Sequence, residues 1–161
     1  MLHLIPPWLH RLALRLADPL RRRLWRILRP RLRSVSVIAL APGERILLVR
    51  LSYGMAAWTF PGGGIGRGET PEDAARREAK EEANCELDGL ALVAQFEEDI
   101  SGARATSWLF AGNLLSNPVP DGREVLEARL FPLHSLPEPL SRGTHLRLRR
   151  WREWRSAAPS R

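Results

Sequence analysis

Gly62-Gly63-Gly64-Ile65-Gly66-Arg67-Gly68-Glu69, joined through Thr70-Pro71 to a stretch containing Arg77-Glu78-Ala79-Lys80-Glu81-Glu82, decides the fold of this 161-residue chain. The second half predicts a helix over residues 71–83. Thr70 is a suitable N-cap, Pro71 fits the first turn, and Glu72 and Asp73 sit at the positive end of the helix dipole. At 100° per residue, Glu78, Glu81 and Glu82 fall within about 100° of arc. Ala75, Ala79 and Ala83 form the adjacent stripe, small enough for the helix to approach a sheet closely. One edge of the helix is thus expected to pack, and the edge beside it presents three carboxylates.

Solvated i, i+4 pairs such as Glu72 with Arg76 and Arg77 with Glu81 account for the charge but not for its clustering. Glu78 and Glu82 are a like-charge pair, which becomes favourable when a hard divalent cation sits among the carboxylates. The loop before the helix carries Gly62, Gly63, Gly64, Gly66 and Gly68 within seven positions. Such a backbone approaches a ligand closely, and glycine loops that enter helices commonly hold phosphates through their N–H groups. No Gly-Lys-Ser/Thr follows, so this is not a Walker loop.

Gly63, five residues, Glu69, seven residues, then Arg77-Glu78-Ala79-Lys80-Glu81-Glu82 resembles the signature box of the Nudix hydrolases. Six identities at fixed spacing, at about 7% each, arise by chance about once in 10⁷ starting points. Trp58 ahead of Phe60-Pro61-Gly62-Gly63 and the run from Glu124 to Leu133 also resemble the family's layout, so the likeness covers roughly residues 34–140. Two departures stand out. Asn84 replaces the usual Gly after the Glu-Glu-x of the box, and Asn is the next best residue for a left-handed C-cap. Gly66 stands where many members carry Glu. Cys85 fills the final apolar position of the box and is expected to be buried.

Outward from the box, Ser34–Leu40 and Arg45–Arg50 flank a Pro42-Gly43 turn and read as strands. Ala57–Phe60, Leu90–Phe96, Thr106–Leu115 and Val125–Phe131 are further strand candidates. Asn117–Gly122 reads as a loop, and a terminal helix is expected from about Thr144 to Trp154. Residues 1–33 read as two short helices. The second starts at Asp18-Pro19, carries Leu20, Leu24, Ile27 and Leu28 on one side, and stops at Pro30.

The net charge of +7 hides an acidic body between basic ends. Residues 1–33 hold nine Arg against one Asp, giving +8; residues 34–141 hold nine basic and sixteen acidic side chains, giving −7; residues 142–161 hold seven Arg and one Glu, giving +6. Basic ends suit anionic membrane or RNA contact, although Arg outnumbers Lys 24 to 1, a bias that genome composition also produces. A single cysteine excludes a disulfide framework and a cysteine-rich zinc module. With no 18-residue apolar run and no secretory leader pattern, a cytoplasmic protein is the expectation.

The resemblance implies an α/β/α sandwich with a mixed β-sheet, here carrying a basic helical N-terminal extension. The expected division is extension 1–33, Nudix domain 34–140 and a basic C-terminal helix 141–161 packed on the domain. It further implies Mg²⁺-dependent hydrolysis, with Mn²⁺ as a substitute, of the pyrophosphate linkage in a nucleoside diphosphate joined to another moiety. Glu78, Glu81 and Glu82 would be metal ligands, with Glu78 or Glu82 also helping to deprotonate the attacking water. Arg77 and Glu69 would form an orienting ion pair, and Gly63 and Gly64 would supply close backbone approach. Glu124 is the candidate carboxylate outside the box, with Glu97, Glu98 and Asp99 as competitors. Trp58, Tyr53 and Trp108 are candidates to stack a base, and Trp58 is assigned to substrate binding. The partner is a small nucleotide-derived substrate; Leu20, Leu24 and Leu28 offer a surface for a homodimer. The alternatives are a catalytically silent sensor of a nucleotide derivative and an RNA-processing protein that uses its Arg-rich ends.

Overall fold

The computed structural model describes residues 30–53 and 57–157, together with scattered positions before residue 30. The amphipathic arginine helix expected after Asp18-Pro19 therefore lies largely outside the described residues. Leu20, Leu24 and Leu28 are described, and they are exposed rather than packed on the domain.

Alternating side chains build the first strand. In β1 (Arg31–Ala41) Val35, Val37 and Ala39 point to one face, while Ser34, Ser36 and Ile38 point to the other. Six more strands follow: β2 (Arg45–Leu51), β3 (Trp58–Thr59), β4 (Gly62–Gly64), β5 (Leu87–Ile100), β6 (Ala103–Leu114) and β7 (Val125–Pro132). They form one sheet in the order β3-β2-β1-β6-β5, with β4 paired to β1 and β7 to β2. β1 runs parallel to β6 and antiparallel to β2 and β4, so the sheet is mixed, as expected.

Each face of the sheet is closed by one helix. On the first face, Ala74, Ala75, Ala79 and Ala83 of α1 (Pro71–Ala83) meet Val35, Val37, Leu47, Val49 and Val125. Only small side chains line the helix here, so its backbone lies close to the strands. On the second face, Leu148 and Trp151 of α2 (Arg142–Ala157) close over Ile38, Ile46, Leu48, Phe96 and Leu109. Trp151 is almost fully buried, and burial of a side chain of this kind contributes about 1.5–3 kcal/mol. The result is an α/β/α sandwich.

Three differences from the sequence reading have physical causes. Gly62–Gly64 reads as part of a loop, yet it forms β4 because its backbone pairs with Ser34–Ser36. β5 and β6 extend beyond the apolar runs into one long hairpin, turning at Ser101-Gly102, where both φ angles are positive. Its charged end is satisfied across the ladder, where the Thr106 hydroxyl donates to Glu97. α2 begins two residues before Thr144, with the Ser141 hydroxyl accepting the Thr144 N–H.

Candidate active site

Local capping sets the register of α1. The Thr70 hydroxyl accepts the Asp73 N–H at 3.1 Å, and Asn84 ends the helix in the left-handed conformation at φ 51°. The Asn84 and Cys85 N–H groups then donate back to Lys80 and Ala79 carbonyls. Asn thus does the work of the family's usual Gly. Cys85 is buried, and burial pushes its thiol pKa up.

This register places Glu78 and Glu82 beside β4. They are only 9% and 6% exposed. The Gly62 N–H donates to Glu82 at 3.0 Å, while Glu78 accepts from Arg77 at 2.8 Å. Burial is the main force raising the pKa of both carboxyls; Glu81 and Glu124 add to it at Glu78, and Glu78, Glu124 and Asp121 add to it at Glu82. Arg77 opposes the rise at Glu78, and the Gly62 amide opposes it at Glu82.

The Arg77 guanidinium ties the loop to the helix. Its Nε and Nη2 donate to the two oxygens of Glu69 at 2.8 and 3.1 Å, and Nη2 also reaches the Gly64 carbonyl at 2.8 Å. Nη1 contacts Glu81 at 3.1 Å as well as Glu78. Held by Arg77 and by the Gly66 N–H, the Glu69 carboxyl drops to about 2. A planar five-donor fork can join four acceptors in this way, which a lysine cannot do.

The carboxylate brought to this cluster from outside the box is Glu124. Its carboxylate accepts from the Tyr53 hydroxyl, and its backbone carbonyl accepts the Ser52 N–H. Asp121, which the sequence reading passed over, orders the approach. Its side chain accepts the N–H groups of Arg123, Glu124 and Val125 at 2.8–3.1 Å. The Asp-Gly step in the loop is the signal that could have revealed it. The competing acids are engaged elsewhere: Glu98 is ion-paired to Arg147, Glu97 bonds Thr106, and Asp99 accepts the Gly102 N–H.

Trp58 needs correction as a substrate contact. It is 8% exposed, sits in the core of the second face, and packs edge-on against Phe131 at 4.8 Å. Strand pairing with Arg50 fixes this orientation. Trp108 also packs against core, with Arg33 over its ring at 5.3 Å. Of the three aromatic candidates, Tyr53 is the one that lines the cleft.

That cleft has a volume of about 1360 Å³ and opens beside β4. Glu78, Glu81, Glu82 and Glu124 line it, together with Gly63 and Gly64. Among the described residues, no three His, Cys, Asp or Glu side chains stand arranged to hold a metal ion. The donor chemistry nevertheless suits a hard divalent cation: all are oxygen ligands, and two are buried like charges that repel one another. Such a cation would relieve the cost of burying them.

The two glycines of β4 predict contrasting variants. A Cβ at Gly63 would lie 2.4 Å from Glu78 Oε1, the mobile end of a side chain. Gly63→Ala should therefore keep its melting temperature within a few degrees while turnover falls by roughly 10²-fold, as expected when a catalytic group is displaced by about 1 Å. A Cβ at Gly62 would meet the Val35 carbonyl at 2.2 Å, which is backbone. Gly62→Ala should lose stability as well as activity. Thermal melts alongside turnover separate the two; equal melting losses would show that Gly63 is only a structural glycine.

A hydrolase-type box on an α/β/α sandwich agrees with comparison to known proteins. The sequence pattern of the NUDIX domain matches residues 30–154, and the chain belongs to that family. A MutT NUDIX hydrolase from Burkholderia pseudomallei shares the fold with a TM-score of 0.68 at 21% identity, over 74% of this chain and 97% of that one. The NUDIX domain of Shewanella oneidensis NrtR, solved with ADP ribose, gives 0.69 at 16% identity, over 76% and 87%. An RNA pyrophosphohydrolase from Sulfurovum sp. is 49% identical over 45 residues, 28% of this chain. The match spans about a quarter, 27%, of that relative's length.

Proposed function

We propose that the chain is a hydrolase, dependent on a divalent cation, that cleaves the pyrophosphate linkage of a nucleoside diphosphate joined to another group. The observation that carries this reading is the pair of buried carboxylates, Glu78 and Glu82, set beside a glycine strand at the wall of an open cleft. Membership of the NUDIX domain family supports it.

Glu78, Glu81, Glu82 and Glu124 would hold Mg²⁺ or Mn²⁺. When bound, the cation would neutralise phosphate charge and acidify water. The protein's own tasks follow from its geometry. Gly63 and Gly64, without side chains, let phosphate oxygens approach the strand. Arg77 fixes the loop against the helix, so the carboxylates and the glycine backbone keep one spacing. Glu78 or Glu82 takes the proton of the attacking water. Tyr53 holds Glu124 and offers its ring to the base.

A second reading, removal of pyrophosphate from the 5′ end of RNA, is favoured by the local identity to RNA pyrophosphohydrolases. The test for both is turnover with Mg²⁺, and with EDTA, across ADP-ribose, nucleoside triphosphates, dinucleoside polyphosphates and a 5′-triphosphorylated oligoribonucleotide. EDTA-sensitive release of nucleoside monophosphate or pyrophosphate from one class supports the hydrolase and names its substrate. Tight ADP-ribose binding without turnover of any member would replace the enzyme with a sensor.

A further inference from the structure

The cleft has a second wall that the proposed chemistry does not use. Arg142, His145 and Arg149 line it from α2. On α2 the three positions are spaced i, i+3, i+7, which puts them on one ridge of the helix. All three side chains are exposed. Among the described residues, no salt bridge neutralises Arg142 or Arg149, unlike Arg147, whose charge is consumed by Glu98.

The electrostatics of this wall are costly without an anion. The first turn of α2 contains no acidic residue and begins with Arg142, so a cation stands at the positive end of the helix dipole. Glu98 and Asp99 are the acids on this side of the cleft; Glu98 is paired with Arg147, and Asp99 accepts the Gly102 N–H. The opposite wall is lined by four glutamates. A neutral substrate body would gain nothing from this polarity. A phosphate chain reaching from one wall to the other would meet opposite charge at each end, through a cation on one side and guanidinium groups on the other.

We propose that Arg142 and Arg149, with His145, form an anion subsite for phosphate groups beyond the scissile linkage, so that the preferred substrate carries three or more phosphates in a chain. Its place in the reaction rests on the reading given under Proposed function. Binding to the wall does not.

The test separates the two. Inorganic tripolyphosphate is titrated by calorimetry into the full chain in EDTA-containing buffer, which removes any contribution from the carboxylate wall. Wild type and Glu82→Gln are expected to bind alike, and Arg142→Ala/Arg149→Ala at least about tenfold more weakly, for the loss of two charge-assisted contacts. No binding by wild type, or equal affinity in the double variant, overturns the subsite. Both arginines are exposed, so the double variant should fold, and its circular dichroism and melting curve check that. In the Mg²⁺ assay the double variant should raise KM about tenfold for ATP or the triphosphorylated oligoribonucleotide, and less than about threefold for ADP-ribose. Equal rises for all three also overturn the proposal, while the larger rise among the first two tells whether the chain belongs to a free nucleotide or to RNA. Tripolyphosphate binding without turnover of any substrate would leave the subsite standing and remove the hydrolase.

Discussion

Glu82→Gln is expected to abolish turnover, by about 10³-fold or more, while the metal-free protein melts at the same temperature as wild type or slightly higher. The first effect follows from the proposed role of Glu82 as a charged oxygen ligand to a cation that would supply several kcal/mol to the reaction, at about 1.4 kcal/mol per factor of ten. The second follows from burial. Glu82 is 6% exposed, and its carboxyl is raised well above the ordinary range, so the folded state binds more protons than the unfolded one. Stability of the metal-free wild type therefore falls as pH rises from the ordinary carboxylate pKa through the raised one. Gln keeps an oxygen that can accept the Gly62 N–H and has nothing to ionise, so that part of the pH dependence should vanish. Saturating Mg²⁺ should raise the wild-type melting temperature and leave the variant's nearly unchanged. Turnover within tenfold of wild type, or an unchanged response to Mg²⁺, would remove Glu82 from the site.

Arg147→Ala is expected to be the most destabilising single change on the cleft wall. Arg147 and Glu98 are 11% and 14% exposed. The guanidinium also donates to Ser36 Oγ at 2.9 Å, while the Ser107 hydroxyl donates to Glu98 and contacts Ser34 Oγ at 2.6 Å. Truncation leaves Glu98 buried without its counter-charge, a loss of about 3–5 kcal/mol. At roughly 2–4 °C per kcal/mol for a chain of this size, the melting temperature should fall by about 6–20 °C. Arg147→Met with Glu98→Gln removes both charges together and should recover part of the loss. A fall of less than about 2 °C in the single variant would show that the pair contributes nothing.

The fold and the site were legible to different depths. Thr70, Pro71 and Asn84 announce both ends of α1 because capping chemistry is local, and the observed helix covers residues 71–83 as read. The spacing of Glu78, Glu81 and Glu82 follows from helix geometry alone. β4 was hidden because three glycines have no strand preference of their own; their pairing with Ser34–Ser36 is a tertiary event. Glu98 looked like any acid in a charged run until Arg147, 49 residues further along the chain, reached it. Trp58 misled for a related reason: an aromatic beside a glycine loop suits ligand stacking equally well until the register of β3 turns it inward. The basic wall was missed because charge counted by segment says nothing about which arginines share a cleft.

α1 and α2 lie on opposite faces of one sheet, and the cleft borrows a wall from each. In the proposed reading, reaction and recognition would rest on separate layers, with β1 between them. Changes along the outer ridge of α2 can alter what the cleft accepts without disturbing the glutamates. This arrangement gives the scaffold room to diversify its substrates while its chemistry stays fixed, and it makes α2 the element to randomise when a new specificity is sought.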